Sequence, residues 1–190
     1  VAINDDAVDA EDAEGGSSAT TVDLLSGMYG AEEMTFEAGK YALNKDATVT
    51  LKSNVTLTGI KFVGGFKLTI KSDTSAEKPY ILSVTYDFGT NTNKTETKAG
   101  DIFEVSALNL NGADLKVTQN DTGKGTGPGP SDAGCSVFGT AQVTVQGKST
   151  MTITTNEFAN RVFYNKGSSL SINGENAKVI LEKASSSTVS

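Results

Sequence analysis

The chain has 190 residues, 16 basic and 23 acidic side chains, a net charge of −7, no His, no Trp and one Cys, Cys135. That length suits one domain with a real core. The lack of His removes Ser-His, Cys-His and His-metal chemistry, and a lone Cys rules out an intrachain disulfide framework. No stretch approaches the ~18 apolar residues of a membrane span, and no basic stripe suited to nucleic acid appears.

The charge is uneven. Residues 1–40 hold ten acids against Lys40 alone, so the acidity is an N-terminal feature and the rest of the chain is close to neutral. Residues 1–19 are small, acidic and Gly/Ser-terminated, with too little apolar surface to offset the entropy of ordering, and read as a flexible lead-in. The N-terminus lacks the pattern of a secretory signal; a mature secreted chain would look the same. Residues 20–40 read as a cap. Within them Thr20 or Thr21 would start a short helix, Val22, Leu24, Leu25 and Met28 would give its apolar face, and Gly27 and Gly30 would end it.

From Tyr41 to the end, residues 41–190, the text is β: Thr, Val, Leu and Ile alternate and are broken by Gly, Asn and Lys. Three segments repeat one shape. Each opens with a β-branched residue and Phe (Ile102-Phe103, Val137-Phe138, Val162-Phe163). Each continues with two apolar residues two apart (Leu108/Leu110, Val143/Val145, Leu170/Ile172), then Gly112, Gly147 or Gly174. Each closes with Leu115/Val117, Met151/Ile153 or Val179/Leu181. A fourth copy is read at Ile60, Phe62, Gly64, Leu68 and Ile70, whose spacing equals that of Val143, Val145, Gly147, Met151 and Ile153. A weaker pair, Val49/Leu51 and Val55/Leu57, precedes it.

Period-2 alternation in short strands buries one face. A Gly after the second strand marks a corner needing positive φ, and Asn or Gln before it (Asn111, Gln146, Asn173) would align into a ladder when coils stack. One coil cannot bury its own apolar face, but stacked coils can. The expected fold is therefore all-β, a right-handed parallel β-helix of about four to five coils with a short N-terminal capping helix. The alternative is an antiparallel β-sandwich, which would not require the same Gly offset in every copy. The insertions Ile70 to Ile102, Val117 to Val137 and Ile153 to Val162 leave from one corner, and the longest holds the strand-like run Tyr80 to Tyr86. The middle one contains GKGTGPGP at 123–130, too rich in Gly and Pro for regular structure.

GKYALNKDATVTL followed by degenerate coils resembles the pectin-lyase-like right-handed parallel β-helix proteins of microbial secreted and surface proteins. The resemblance covers about 41–190 and rests on repeat shape and strand texture. It implies a right-handed solenoid in an extracellular or cell-surface setting, and it does not imply catalysis.

The chemistry left open is limited. No GxxxxGK[ST] exists, and the N-terminal acids lack the order of a calcium loop; no cofactor or metal is expected. Cys135 lies two residues before Val137, so alternation points both inward and Cys135 reads as a buried structural thiol. Asp73, Glu77, Asp87, Asp101 and Asp132 are the loop carboxylates from which a glycan-cleaving pair would come. Asp101 and Glu104 lie three apart and point to opposite faces of a strand. Arg161, the sole Arg, would serve as a lyase base or sugar clamp, or as a solvated loop charge. Tyr80, Tyr86 and Tyr164 are candidate ligand-binding residues able to stack on sugars, or cover for the edge of the solenoid. Rows of Thr suggest a flat hydroxyl array or simply good exposed strand residues. Asn54, Asn93 and Asn120 sit in N-x-[ST] sequons.

The function expected from these residues is a non-catalytic extracellular or cell-surface structural or adhesive module that displays loops to a glycan or surface protein. The alternative is a polysaccharide lyase or glycoside hydrolase domain. A further expectation is self-association through the C-terminal end of the solenoid, where nothing comparable to the N-terminal cap follows Leu181.

Overall fold

A computed structural model of the chain describes residues 28–29, 34–37, 40–73, 76–87, 102–120, 136–139, 141–155, 161–163 and 167–183. The described residues form strands and turns only, and no helix among them is long and apolar enough to cross a membrane.

Five coils of three strands each stack into a parallel β-helix. The first coil is β3 (Lys40–Leu43), β4 (Ala47–Leu51) and β5 (Val55–Thr58). The second is β6 (Lys61–Val63), β7 (Lys67–Ser72) and β8 (Ile81–Asp87). The third is β9 (Phe103–Glu104), β10 (Ala107–Asn111) and β11 (Asp114–Asn120). The fourth is β12 (Ser136–Phe138), β13 (Gln142–Gln146) and β14 (Thr150–Thr155). The fifth is β15 (Arg161–Phe163), β16 (Ser169–Asn173) and β17 (Lys178–Lys183). Corresponding strands pair in parallel to make three sheets. Leu108/Leu110 pair with Val143/Val145, and these with Leu170/Ile172, as the repeat requires. The antiparallel sandwich is thereby excluded.

Alternation along each strand gives five inward rows of apolar side chains. Two rows line the sheet of second strands: Ala47, Leu68, Leu108, Val143, Leu170, and Val49, Ile70, Leu110, Val145, Ile172. Two line the sheet of third strands: Val55, Leu82, Leu115, Met151, Val179, and Leu57, Val84, Val117, Ile153, Leu181. The fifth is aromatic. Tyr41, Phe62, Phe103, Phe138 and Phe163 stack with centroid separations of 5.3, 5.3, 5.5 and 5.1 Å. Burial of the Tyr41 ring also pushes its hydroxyl pKa well up, because the charged form would be desolvated.

Three sequence expectations are corrected by the register. First, Leu68 and Ile70 stack on Leu108 and Leu110, so they belong to a second strand and not a third. Phe62 belongs to a first strand, paired with Phe103. The shared spacing misled because Gly64 occupies a different corner from Gly112 and Gly147. There φ is 127°, and a Cβ would collide with the carbonyl oxygen of Leu43 in the coil below. Second, the run from Tyr80 to Tyr86 is no projecting insertion. Residues 81–87 are β8, the third strand of the second coil, paired on both edges. Third, alternation predicts that one member of each β-branched–Phe pair points inward and the other outward, and two of the pairs do not obey it. Ile102 and Phe103 are both buried, as are Val137 and Phe138. β9 and β12 are only two and three residues long, too short to hold strict alternation: Ile102 lies just before β9, and all three residues of β12 are buried.

The expected helix at 20–30 falls mostly outside the described residues. Its last part, Met28–Tyr29, is strand β1, antiparallel to β4, and β2 (Met34–Glu37) runs antiparallel to β3. Two of the three sheets therefore end at the N-terminal side on strands of reversed direction.

The second-strand corner behaves as its Gly residues suggested. Gly112, Gly147 and Gly174 have φ of 75°, 66° and 104°, and Asn111, Gln146 and Asn173 lie in register beside them. Buried Ser149 ties two coils at this corner: its hydroxyl accepts from the Gly112 N–H at 2.8 Å and donates to the Gln146 carbonyl at 2.7 Å.

Candidate functional site

The parallel register sorts the surface into rows one residue wide. On the sheet of third strands Thr58, Thr85, Thr118 and Thr154 stand in adjacent coils, followed by Glu182. The Thr154 hydroxyl lies 3.3 Å from the Glu182 carboxylate. On the sheet of second strands the row is Thr48, Thr69, Asn109, Thr144 and Ser171. Successive members of a row are one strand spacing apart, about 4.8 Å. Their side chains are exposed or half-buried, and each hydroxyl both donates and accepts.

The first of these rows borders one corner of the solenoid. The connections 88–102, 121–135 and 156–160 all leave from the ends of third strands and return to first strands, so all three begin beside the Thr58–Thr154 row. The connection 73–80 is shorter than the first two and lies at a different corner, between the second and third sheets.

Tyr80 and Tyr86 do not converge. Tyr80 and Tyr86 flank the two ends of β8, roughly 20 Å apart at the rise of an extended chain, and both are half-buried against the core. Tyr80 shapes the corner at 73–80: its N–H donates to the Ser72 hydroxyl at 2.8 Å and its carbonyl accepts from the Asp114 N–H at 2.8 Å. Tyr86 lies at the loop-bearing corner, where the Lys61 ammonium sits 4.7 Å from its ring centroid. Lys61 is itself buried, so this cation–π contact is more strongly felt than one in water. Tyr164 lies outside the described residues.

Among the described residues the carboxylates are dispersed, and Asp46 and Asp114 are tied to backbone N–H groups. Asp73 and Glu77 share the connection 73–80, while Asp87 closes the far end of β8; Asp101 and Asp132 lie outside the described residues. Asp46 accepts from the Lys67 N–H at 3.0 Å with the Lys67 ammonium 3.4 Å away, and that backbone hydrogen bond holds its pKa below the usual range. Asp114 accepts from the Thr150 N–H at 2.7 Å; burial raises its pKa, and this hydrogen bond opposes the rise. Among the described residues no group of three or more metal-ligating side chains assembles.

Of the remaining candidates, Arg161 opens β15 opposite Ser136, and Cys135 lies outside the described residues. Asn54 accepts from the Ile81 N–H of the next coil at 2.9 Å. Asn120 ends β11, and Asn93 is outside the described residues.

The rows of Thr in the sequence include members of this row. Each of the first four third strands has an aliphatic residue followed at once by Thr: Leu57-Thr58, Val84-Thr85, Val117-Thr118, Ile153-Thr154. Recognising it required the correct register of the second coil. Comparison of the chain with protein-family models, curated proteins and solved structures returned no match.

Proposed function

We propose that the chain is a non-catalytic extracellular or cell-surface module, structural and adhesive in role. In this reading it is a right-handed, pectin-lyase-like β-helix whose corner loops bind a glycan or a surface protein. The observation that supports the reading is the gathering of three connections at one corner, beside a continuous row of hydroxyls. Connecting segments carry recognition when a rigid scaffold sets their spacing, and ordered hydroxyls that donate and accept suit the repeating hydroxyls of a polysaccharide. The right hand is supported by the near-universal handedness of parallel crossovers.

The test is a glycan array probed with the full chain and with a variant in which 123–130 is replaced by a short Gly-Ser turn. Selective binding that weakens in the variant supports the reading. Binding indifferent to the replacement, or release of new sugar ends from a bound polysaccharide, overturns it.

A further inference from the structure

The two ends of the solenoid differ. At the N-terminal end β1 and β2 run antiparallel along the edges of β4 and β3. At the other end β15, β16 and β17 are each the outermost strand of a sheet. Their apolar side chains continue the inward rows, yet Leu170, Ile172 and Leu181 are 38%, 49% and 58% exposed, where their neighbours Val143, Val145 and Ile153 are buried. Ile180 is a further 40% exposed. Among the described residues these three edges carry no further strand, and strand edges with exposed apolar rows pair readily with another chain.

We propose that this end is the interface for a second copy of the chain, packed end to end about a two-fold axis, with β17 antiparallel to the β17 of the second copy. A partner must offer three strand edges on the same outline, and an identical end does so. The sequence of β17 fits such a pairing. Register with β14 places Val179 and Leu181 over Met151 and Ile153, and Lys178, Ile180 and Glu182 on the outer face. Antiparallel pairing centred on Ile180 then sets Lys178 opposite Glu182 twice, Val179 opposite Leu181 twice, and Ile180 opposite itself. From Lys178 to Glu182 each apolar residue meets an apolar one on its own face, and each charge meets its opposite. Shifting the centre to Val179 sets Lys178 against Ile180, and shifting it to Leu181 sets Ile180 against Glu182.

The same axis lays β16 of one copy along β15 of the other, covering Leu170, Ile172 and Phe163. Head-to-tail stacking meets an end where two of the three edges already carry β1 and β2, so the assembly closes at two. This interface does not depend on what the corner loops bind.

Sedimentation of the full chain over a range of concentrations tests the proposal, with circular dichroism to establish folding of each variant. The wild type should show a monomer–dimer equilibrium. Lys178→Glu or Glu182→Lys alone should raise the dissociation constant roughly tenfold, because the symmetry turns two attractive pairs repulsive. The double variant Lys178→Glu/Glu182→Lys should return it to about the wild-type value, even though it also loses the Thr154–Glu182 contact. A chain monomeric throughout, assembly beyond two, or a double variant no tighter than the single ones overturns the proposal.

Discussion

The rings of Phe103 and Phe138 stack at 5.5 Å with 30° between their planes, each fully buried and each belonging to a strand of three residues or fewer. Their strands share one register pair, Phe138 with Phe103. The first-strand sheet is therefore held by its aromatic core more than by its ladder. Phe138→Ala removes a ring contacted above and below and should cost roughly 3–5 kcal/mol. Phe163→Ala should cost less, since Phe163 is half-buried at the end of the stack. Urea unfolding of both variants measures the difference; equal costs would show that the stack does not strengthen toward its middle.

The second-strand corner should respond to the loss of a single hydroxyl. Ser149→Ala leaves the Gly112 N–H without its acceptor and the Gln146 carbonyl without its donor in a buried setting, at a cost of about 1–3 kcal/mol. Gly147→Ala adds a Cβ at φ 66°, placed 3.2 Å from the Asn111 side-chain oxygen, and should cost about 1–3 kcal/mol through backbone strain. Gly112→Ala meets open space at φ 75°, so it should show the strain alone. Thermal melts of the three variants separate the strain from the contact.

Asp114 gives the fold a pH dependence of known sign. Its folded-state pKa is raised, with burial the leading cause. The stability it contributes is therefore complete below the unfolded value of about 3.9 and is lost as pH rises through the folded value. Asp114→Asn keeps an oxygen for the Thr150 N–H and carries no charge to desolvate. The variant should melt no lower than wild type at neutral pH, and the gap should close as pH falls toward about 4. Asp114→Ala should melt lower at every pH, because the Thr150 N–H loses its acceptor. A gap that widens on acidification would contradict this assignment.

The fold was legible wherever one coil differs little from the next. The Phe-opened copies at 102–117, 137–153 and 162–181 gave the correct strands, corner glycines and stacking partners. The second coil was misread because a real corner at Gly64 reproduced the spacing of a different corner, and because β8 follows the connection 73–80 and so looked like part of an insertion. β1 and β2 were not legible as a strand cap: MY and MTFE are too short to carry a period. The candidate site was less legible than the fold. Tyrosines and carboxylates drew attention by residue type, but their placement is set by the corners they occupy. The threonine row emerges only from the inter-coil register, which no single strand contains.

That row yields the sharpest functional test. Thr58, Thr85, Thr118 and Thr154 face outward on four adjacent coils, so replacing each by Val keeps the β-branched shape that suits a strand and removes only the hydroxyl. Thr58 is exposed and the other three are half-buried, and the Thr154 hydroxyl contact to Glu182 is long at 3.3 Å. The fourfold variant should therefore melt within a few degrees of wild type, a shift equivalent to about 1 kcal/mol or less in a domain of this size. Binding should behave differently. Each hydroxyl that bonds a ligand is worth about 0.5–1.5 kcal/mol, so losing two or more should weaken a polysaccharide at least roughly fivefold. Affinity electrophoresis against the best ligand from the array, alongside a melt, reads both quantities. Unchanged mobility with an unchanged melt would remove the row from the binding surface and leave recognition to the corner loops alone.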